Sequence, residues 1–290
     1  MSDARDLLSG KGARDENFPV ASILIEARFR PTIMAFYRFA RTADDVADHA
    51  SANAAEKLHR LSEMRGALMG DHDRDTAAVA LRHVLAGRGL PVVHGLDLLE
   101  AFRRDVVQSR YANWDALMDY CRYSAAPVGR MVLDIHGESP GAWAASDALC
   151  AALQVINHLQ DCGQDYRELD RVYLPEEDLS AVDEDVTALA APRASAGLRL
   201  VIAGLARRTQ ELLHRSRPLA DQVRSRRLQL EIAVIQRLAE DLARRLIVRD
   251  PLSERVHHRR LELFGLTASA IVRVVRPARP PRNLIAGAAE

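Results

Sequence analysis

The sequence predicts an all-α fold. Apolar residues recur at helical spacing along most of the chain, and β-branched alternation is scarce. Helix-start signals recur at Pro31, at Asn53 with Glu56, and at Asn113. With 290 residues, 48% of them hydrophobic, the chain is long enough for a substantial core, and no linker, low-complexity tract or short-period repeat divides it.

The elements are expected in this order. Pro31 takes the first helical position ahead of "TIMAFYRFARTADDVADHA", where its missing N–H costs nothing. Asn53 and Glu56 form a capping box for "AAEKLHRLSEMRGALM". "AGRGLP" (86–91) is a break, and a helix covers about 94–110. Asn113 caps the helix carrying "WDALMDYCRYSAAPVGRMVLDIHG", with a kink at Pro127 and Gly129. "SPG" (139–141) starts a helix that reaches "QVINHLQDCGQDYREL", and "RVYLPEEDLSAVDEDV" is a loop. Two long helices cover about 193–216 and 219–248, Pro251 ends the second, and a shorter one takes about 253–264. The total is about eight to ten helices. The ordered core is expected over about 15–268, followed by a loose basic tail, 269–290.

Lys plus Arg number 40 and Asp plus Glu 40, so the net charge is zero, unlike that of a phosphate-gripping nucleic-acid binder. Lys11 and Lys57 are the only lysines; arginine suits bidentate contact with phosphate. Cys121, Cys150 and Cys162 have neither the even count of a disulfide framework nor CxxC spacing, and read as buried thiols in a reducing cytoplasm. The polar N-terminus is no signal peptide, and no apolar run reaches the ~18 residues of a membrane span. Arg273, Arg276, Arg279 and Arg282 in the tail leave peripheral contact with an anionic lipid surface open, beside the plain reading of a solvated end.

Residues three or four apart share a helix face, so Tyr37, Arg41, Asp44 (or Asp45) and Asp48 form one stripe. Alone, that stripe reads equally as a solvated acidic face. A second stripe, Asn157, Asp161 and Asp165, follows the same spacing among apolar neighbours, with Gln154 one turn before His158. Two such faces meeting across a cavity would share hard cations, and Mg²⁺ characteristically bridges a few carboxylates to substrate phosphates.

"YRFARTADDVAD", "YCRYSAAPVG" and "QVINHLQDCGQDYRELDRVYLP", in this order, resemble the squalene/phytoene synthase family over most of the chain. The resemblance implies one isoprenoid-synthase helical bundle, residues 1–290, around a central hydrophobic cavity. It implies that Asp44 and Asp48 face Asn157, Asp161 and Asp165 across the cavity mouth, with Mg²⁺ between them. Tyr37 and Arg41 match diphosphate contacts, and Gln154 matches a position beside the reacting chain. Tyr120 matches a tyrosine near the cation intermediate, or is a core aromatic with a bonded hydroxyl. Tyr173 closes the loop over the site. His158 is a bonded histidine in the core or behind the ligands, or lines another face and aims a water. Arg38, off the stripe, pairs with an acid.

Two departures narrow the expectation. A serine-rich segment common in the family is replaced by "ENFPVAS" (16–22), and Gln160 stands on the substrate side where many members have arginine. Both changes remove contacts to diphosphate while every metal position stays, which favours a substrate with one diphosphate. "ENFPVAS" with "FARTADDVAD" resembles the bacterial hydroxysqualene synthases of hopanoid and squalene biosynthesis. These are implied to ionise presqualene diphosphate, supplied by a sister enzyme, and to capture the rearranged cation with water, without a nicotinamide cofactor. The alternatives are a synthase condensing two prenyl diphosphates and a non-catalytic assembly relative.

Overall fold

The computed structural model describes residues 26–258. "ENFPVAS", the basic tail and the far part of the expected 253–264 helix lie outside them. Within them are eleven α-helical stretches: α1 Arg30–Asp48, α2 Ala54–Met69, α3 Thr76–Ala86, α4 Val93–Val107, α5 Trp114–Ser124, α6 Ala126–Ile135, α7 Trp143–Leu169, α8 Glu176–Ser180, α9 Ala196–Ser216, α10 Leu219–Gln222 and α11 Arg226–Val248. The described residues contain no strand.

Most starts follow from local chemistry. Pro31 opens α1, the Asn53–Glu56 capping box opens α2, and Asn113 Oδ1 accepts from Ala116 N–H at 2.9 Å to open α5. Helix α3, which the sequence reading passes over, has its own cap: Asp75 accepts from Ala78 N–H at 2.7 Å.

Four expectations need correction. The kink at Pro127 and Gly129 is a break at Ala125 instead (φ −117°, ψ −50°), and Pro127 sits in the tolerant first turn of α6. Gly129 continues that helix because it is a contact point. An added Cβ would stand 2.3 Å from Ser146 Oγ and 2.6 Å from Cys150 Sγ of α7. The expected 219–248 helix is interrupted, because buried Glu138 accepts from Arg224 N–H at 2.8 Å and Ser225 N–H at 2.9 Å, and Ser225 caps a new start. The expected loop after Tyr173 contains α8. Residues 253–258 are turn and irregular chain, not the start of a helix.

Two apolar clusters form the core. One is built by α1–α4 around Phe39, Leu68, Leu81 and Leu85; the other by α5, α7, α9 and α11 around Ile156, Leu159, Ile202 and Leu242. Helix α6 joins them, with Met131 and Ile135 in the first and Leu133 in the second. Cys121 and Cys162 are buried and all three thiols are free. Among the described residues no helix is long and apolar enough to cross a membrane.

Candidate active site

Where the clusters meet, the C-terminal turns of α1 and α7 line one cavity of about 360 Å³. Asp44 and Asp48 come from α1; Gln154, Asn157, His158, Asp161 and Asp165 come from α7. Phe102, Asp105, Tyr120, Ser124, Arg171 and Tyr173 complete the wall. The sequence-predicted acidic stripes therefore do face one space. Of the alternatives at 44 and 45, Asp44 faces it; Asp45 is buried and held by Arg41.

The electrostatics are unfavourable without a cation. Helix C-termini carry partial negative charge, and α1 has no basic residue in its last turn to offset Asp44 and Asp48. Burial, reinforced by Asp48, pushes the Asp44 carboxyl up to about 7. Burial, reinforced by Asp161, pushes Asp165 up to about 7. Oxygen donors with this surplus of negative charge fit a hard divalent cation. No three acidic, imidazole or thiol side chains among the described residues form a ready-made cage.

The cation the protein does supply is Arg171, which the sequence reading left unassigned. Its Nη1 donates to Asp48 Oδ1 at 2.6 Å and its Nη2 to the Ala47 carbonyl at 3.3 Å. It arrives there because Asp170, in the left-handed region (φ +50°), ends α7, and Arg171 N–H then bonds back to the Asp165 carbonyl at 3.2 Å. Arg110 clamps Asp170 with a 2.5 Å ion pair. The signal was its place in "LDRVYLP", directly after the second acidic stripe.

Asp105 was also missed, having no motif around it. It accepts from Tyr120 Oη at 2.9 Å and Tyr173 Oη at 3.3 Å, and burial raises it to about 6 although Arg171 pulls the other way. Tyr120 is thus a buried ring with a bonded hydroxyl, the second of its two readings, and it also lines the cavity. Tyr173 stacks on His158 with ring centroids 3.5 Å apart. Gln154 Nε2 lies 3.1 Å from His158 Nε2, and burial lowers that imidazole to about 3, so it is neutral.

Three predicted residues stand elsewhere. Arg41 pairs at 2.8 Å with both Asp44 and Asp45, and lines a neighbouring 730 Å³ cavity that shares Asn157 and Asp161 with the first. Tyr37 is half-buried one turn before it and does not line the carboxylate cavity. Gln160 is buried and donates to the Val256 carbonyl, which fastens the chain after α11; it borders only the neighbouring cavity. Arg38 is exposed and pairs with no acid among the described residues.

The sequence profile of squalene/phytoene synthase matches residues 12–262. The chain belongs to the squalene/phytoene synthase family. This is a family of prenyl diphosphate-processing enzymes that generally use a divalent metal. The chain is 55% identical over 266 residues to a hydroxysqualene synthase of Zymomonas mobilis, covering 91% of this chain and 90% of that protein. It is 52% identical over 277 residues to a hydroxysqualene synthase of Rhodopseudomonas palustris, covering 94% and 95%. A crystal structure of squalene synthase HpnC from Alicyclobacillus acidocaldarius superposes with a TM-score of 0.69 at 31% identity, over 95% of this chain and 94% of that one. The same helical fold appears in a dehydrosqualene synthase at 21% identity, with a TM-score of 0.75 over 87% and 89% of the two chains.

Proposed function

We propose that the chain is a hydroxysqualene synthase: it ionises presqualene diphosphate, lets the cation rearrange, and captures it with water. The observation that carries this reading is the identity of 50–55%, over most of the chain, to relatives named hydroxysqualene synthase. The acidic cavity accords with it.

Asp44, Asp48, Asn157, Asp161 and Asp165 would hold Mg²⁺. Bound there, the metal would neutralise charge on the departing diphosphate. Arg171 holds Asp48 in place at the cavity wall through its 2.6 Å ion pair. Arg41 props Asp44 from outside the cavity, and with Tyr37 it is assigned to the diphosphate end of the substrate. Gln154 and the rings of Tyr120, Tyr173 and Phe102 form the wall along which the hydrocarbon cation lies. Aromatic faces favour a nearby cation without competing as nucleophiles. No reductant enters the reaction. A sister enzyme supplies the substrate, and peripheral contact with the inner face of the membrane, through the basic tail, accounts for delivery of so apolar a molecule. Salt-sensitive sedimentation with anionic liposomes tests that contact.

The direct test incubates purified protein and Mg²⁺ with presqualene diphosphate alone, then with farnesyl diphosphate alone, without reductant. Hydroxysqualene from the first and no consumption of the second are expected. Consumption of farnesyl diphosphate without a partner enzyme would replace this reading with that of a condensing synthase.

A further inference from the structure

Capturing a carbocation as an alcohol requires one water held in one place, inside a cavity otherwise closed to water. Most polar groups of the cavity are already committed. The hydroxyls of Tyr120 and Tyr173 donate to Asp105, and Arg171 donates to Asp48. The carboxylates and Asn157 belong to the metal-facing stripes.

What remains is Ser124, at the last turn of α5, and the Gln154–His158 pair of α7. Ser124 Oγ is buried and finds no hydrogen-bond partner among the described residues, although it lines the cavity. A buried hydroxyl in that condition is costly unless a water satisfies it. The Gln154 amide N–H donates to His158 Nε2 at 3.1 Å, which leaves the Gln154 carbonyl oxygen available as an acceptor. Stacking against Tyr173 fixes the imidazole plane, and with it the amide. Gln154 precedes Asp161 by seven residues, so the pair lies about 5–10 Å along α7 from the metal-facing carboxylates, toward the helix N-terminus.

We infer that Ser124 and the Gln154–His158 pair position the water that captures the carbocation, and so make the product an alcohol rather than a hydrocarbon. This rests on the hydroxysqualene synthase reading. Ionisation breaks the substrate C–O bond, and diphosphate leaves with the electron pair. A lone pair of the held water forms the new C–O bond. The resulting oxonium loses one proton to the diphosphate, the strongest base released. One water is consumed, one alcohol and one hydrogen diphosphate result, and nothing is oxidised or reduced. Without a held water, the same base removes a proton from carbon and the cation ends as a hydrocarbon.

The test compares full-length wild type with Ser124→Ala and Gln154→Leu, each given presqualene diphosphate and Mg²⁺. Alcohol and hydrocarbon are quantified per diphosphate released. The alcohol fraction is expected to fall about fivefold or more in both variants, with hydrocarbon making up the difference. Ser124→Thr, which keeps the hydroxyl, is expected to restore it. Ser124→Ala deletes an atom with no protein partner, so the fold is not at stake. An unchanged alcohol fraction in the product of both variants overturns the assignment. Loss of diphosphate release in both also overturns it, because it would place these side chains in ionisation. Absence of alcohol from wild type is a separate result, and it removes the functional reading before any substitution is made.

Discussion

Asp44 and Asp165 hold their protons to about 7 because burial and a neighbouring carboxylate both oppose ionisation, against 3.8 for a free side chain. A carboxyl whose folded value is raised contributes stability below about 4, and that contribution is lost as the pH climbs through about 7. Mg²⁺ competes with the same protons. Its stabilising effect, read as the rise in Tm on adding the ion, should be clearly larger at about pH 8 than at about pH 5.5. An equal rise at both values would move the metal off these carboxylates. Asp161→Ala should lower turnover by about two orders of magnitude or more, with the helical circular dichroism nearly unchanged. If the helical signal collapsed instead, the acidic face would be structural. Arg171→Gln removes the guanidinium from Asp48, whose side chain is 34% exposed. The expected loss is about 2 kcal/mol in urea denaturation, less than the ~3–5 kcal/mol of a fully buried pair because solvent screens part of it.

Among the elements, α7 positions the most. It brings Gln154, Asn157, His158, Asp161 and Asp165 to one wall, and it packs on both α6 and α9. Its seat on α6 depends on Gly129, where a Cβ would meet Ser146 and Cys150. Gly129→Ala gains about 1 kcal/mol of helix propensity but overpacks the contact by about 1–3 kcal/mol, so net destabilisation is expected in the same denaturation measurement. The caps of α2 and α5 were legible because Asn53, Glu56 and Asn113 act on neighbours three residues away. The break before α11 was not, because the carboxylate that holds it, Glu138, is 87 residues away in sequence. Gln160 carries the same lesson: its side-chain bond to the Val256 carbonyl, 96 residues on, has no local signal in the sequence.

For the whole molecule, the cavity lies between the α1–α4 cluster and the α5–α11 cluster, and Arg171–Asp48 is a direct bond between them. Mg²⁺ with inorganic diphosphate should therefore slow amide exchange at the C-terminal turns of α1 and α7 together, while the centres of α9 and α11 stay unchanged. Slowing in only one of the two turns would count against a shared clamp. By itself, the sequence determined the helical class, most helix starts and the two acidic stripes, because periodicity and capping act within about one helical turn. It also carried the family, through three motifs in a fixed order. Only the tertiary structure decided that Asp44 rather than Asp45 faces the cavity, that Asp105 and Arg171 join the wall, and that Gln160 bonds to the Val256 carbonyl. Those outcomes depend on burial and on charges brought together across more than a hundred residues, as Arg171 is to Asp48, and no local pattern encodes them.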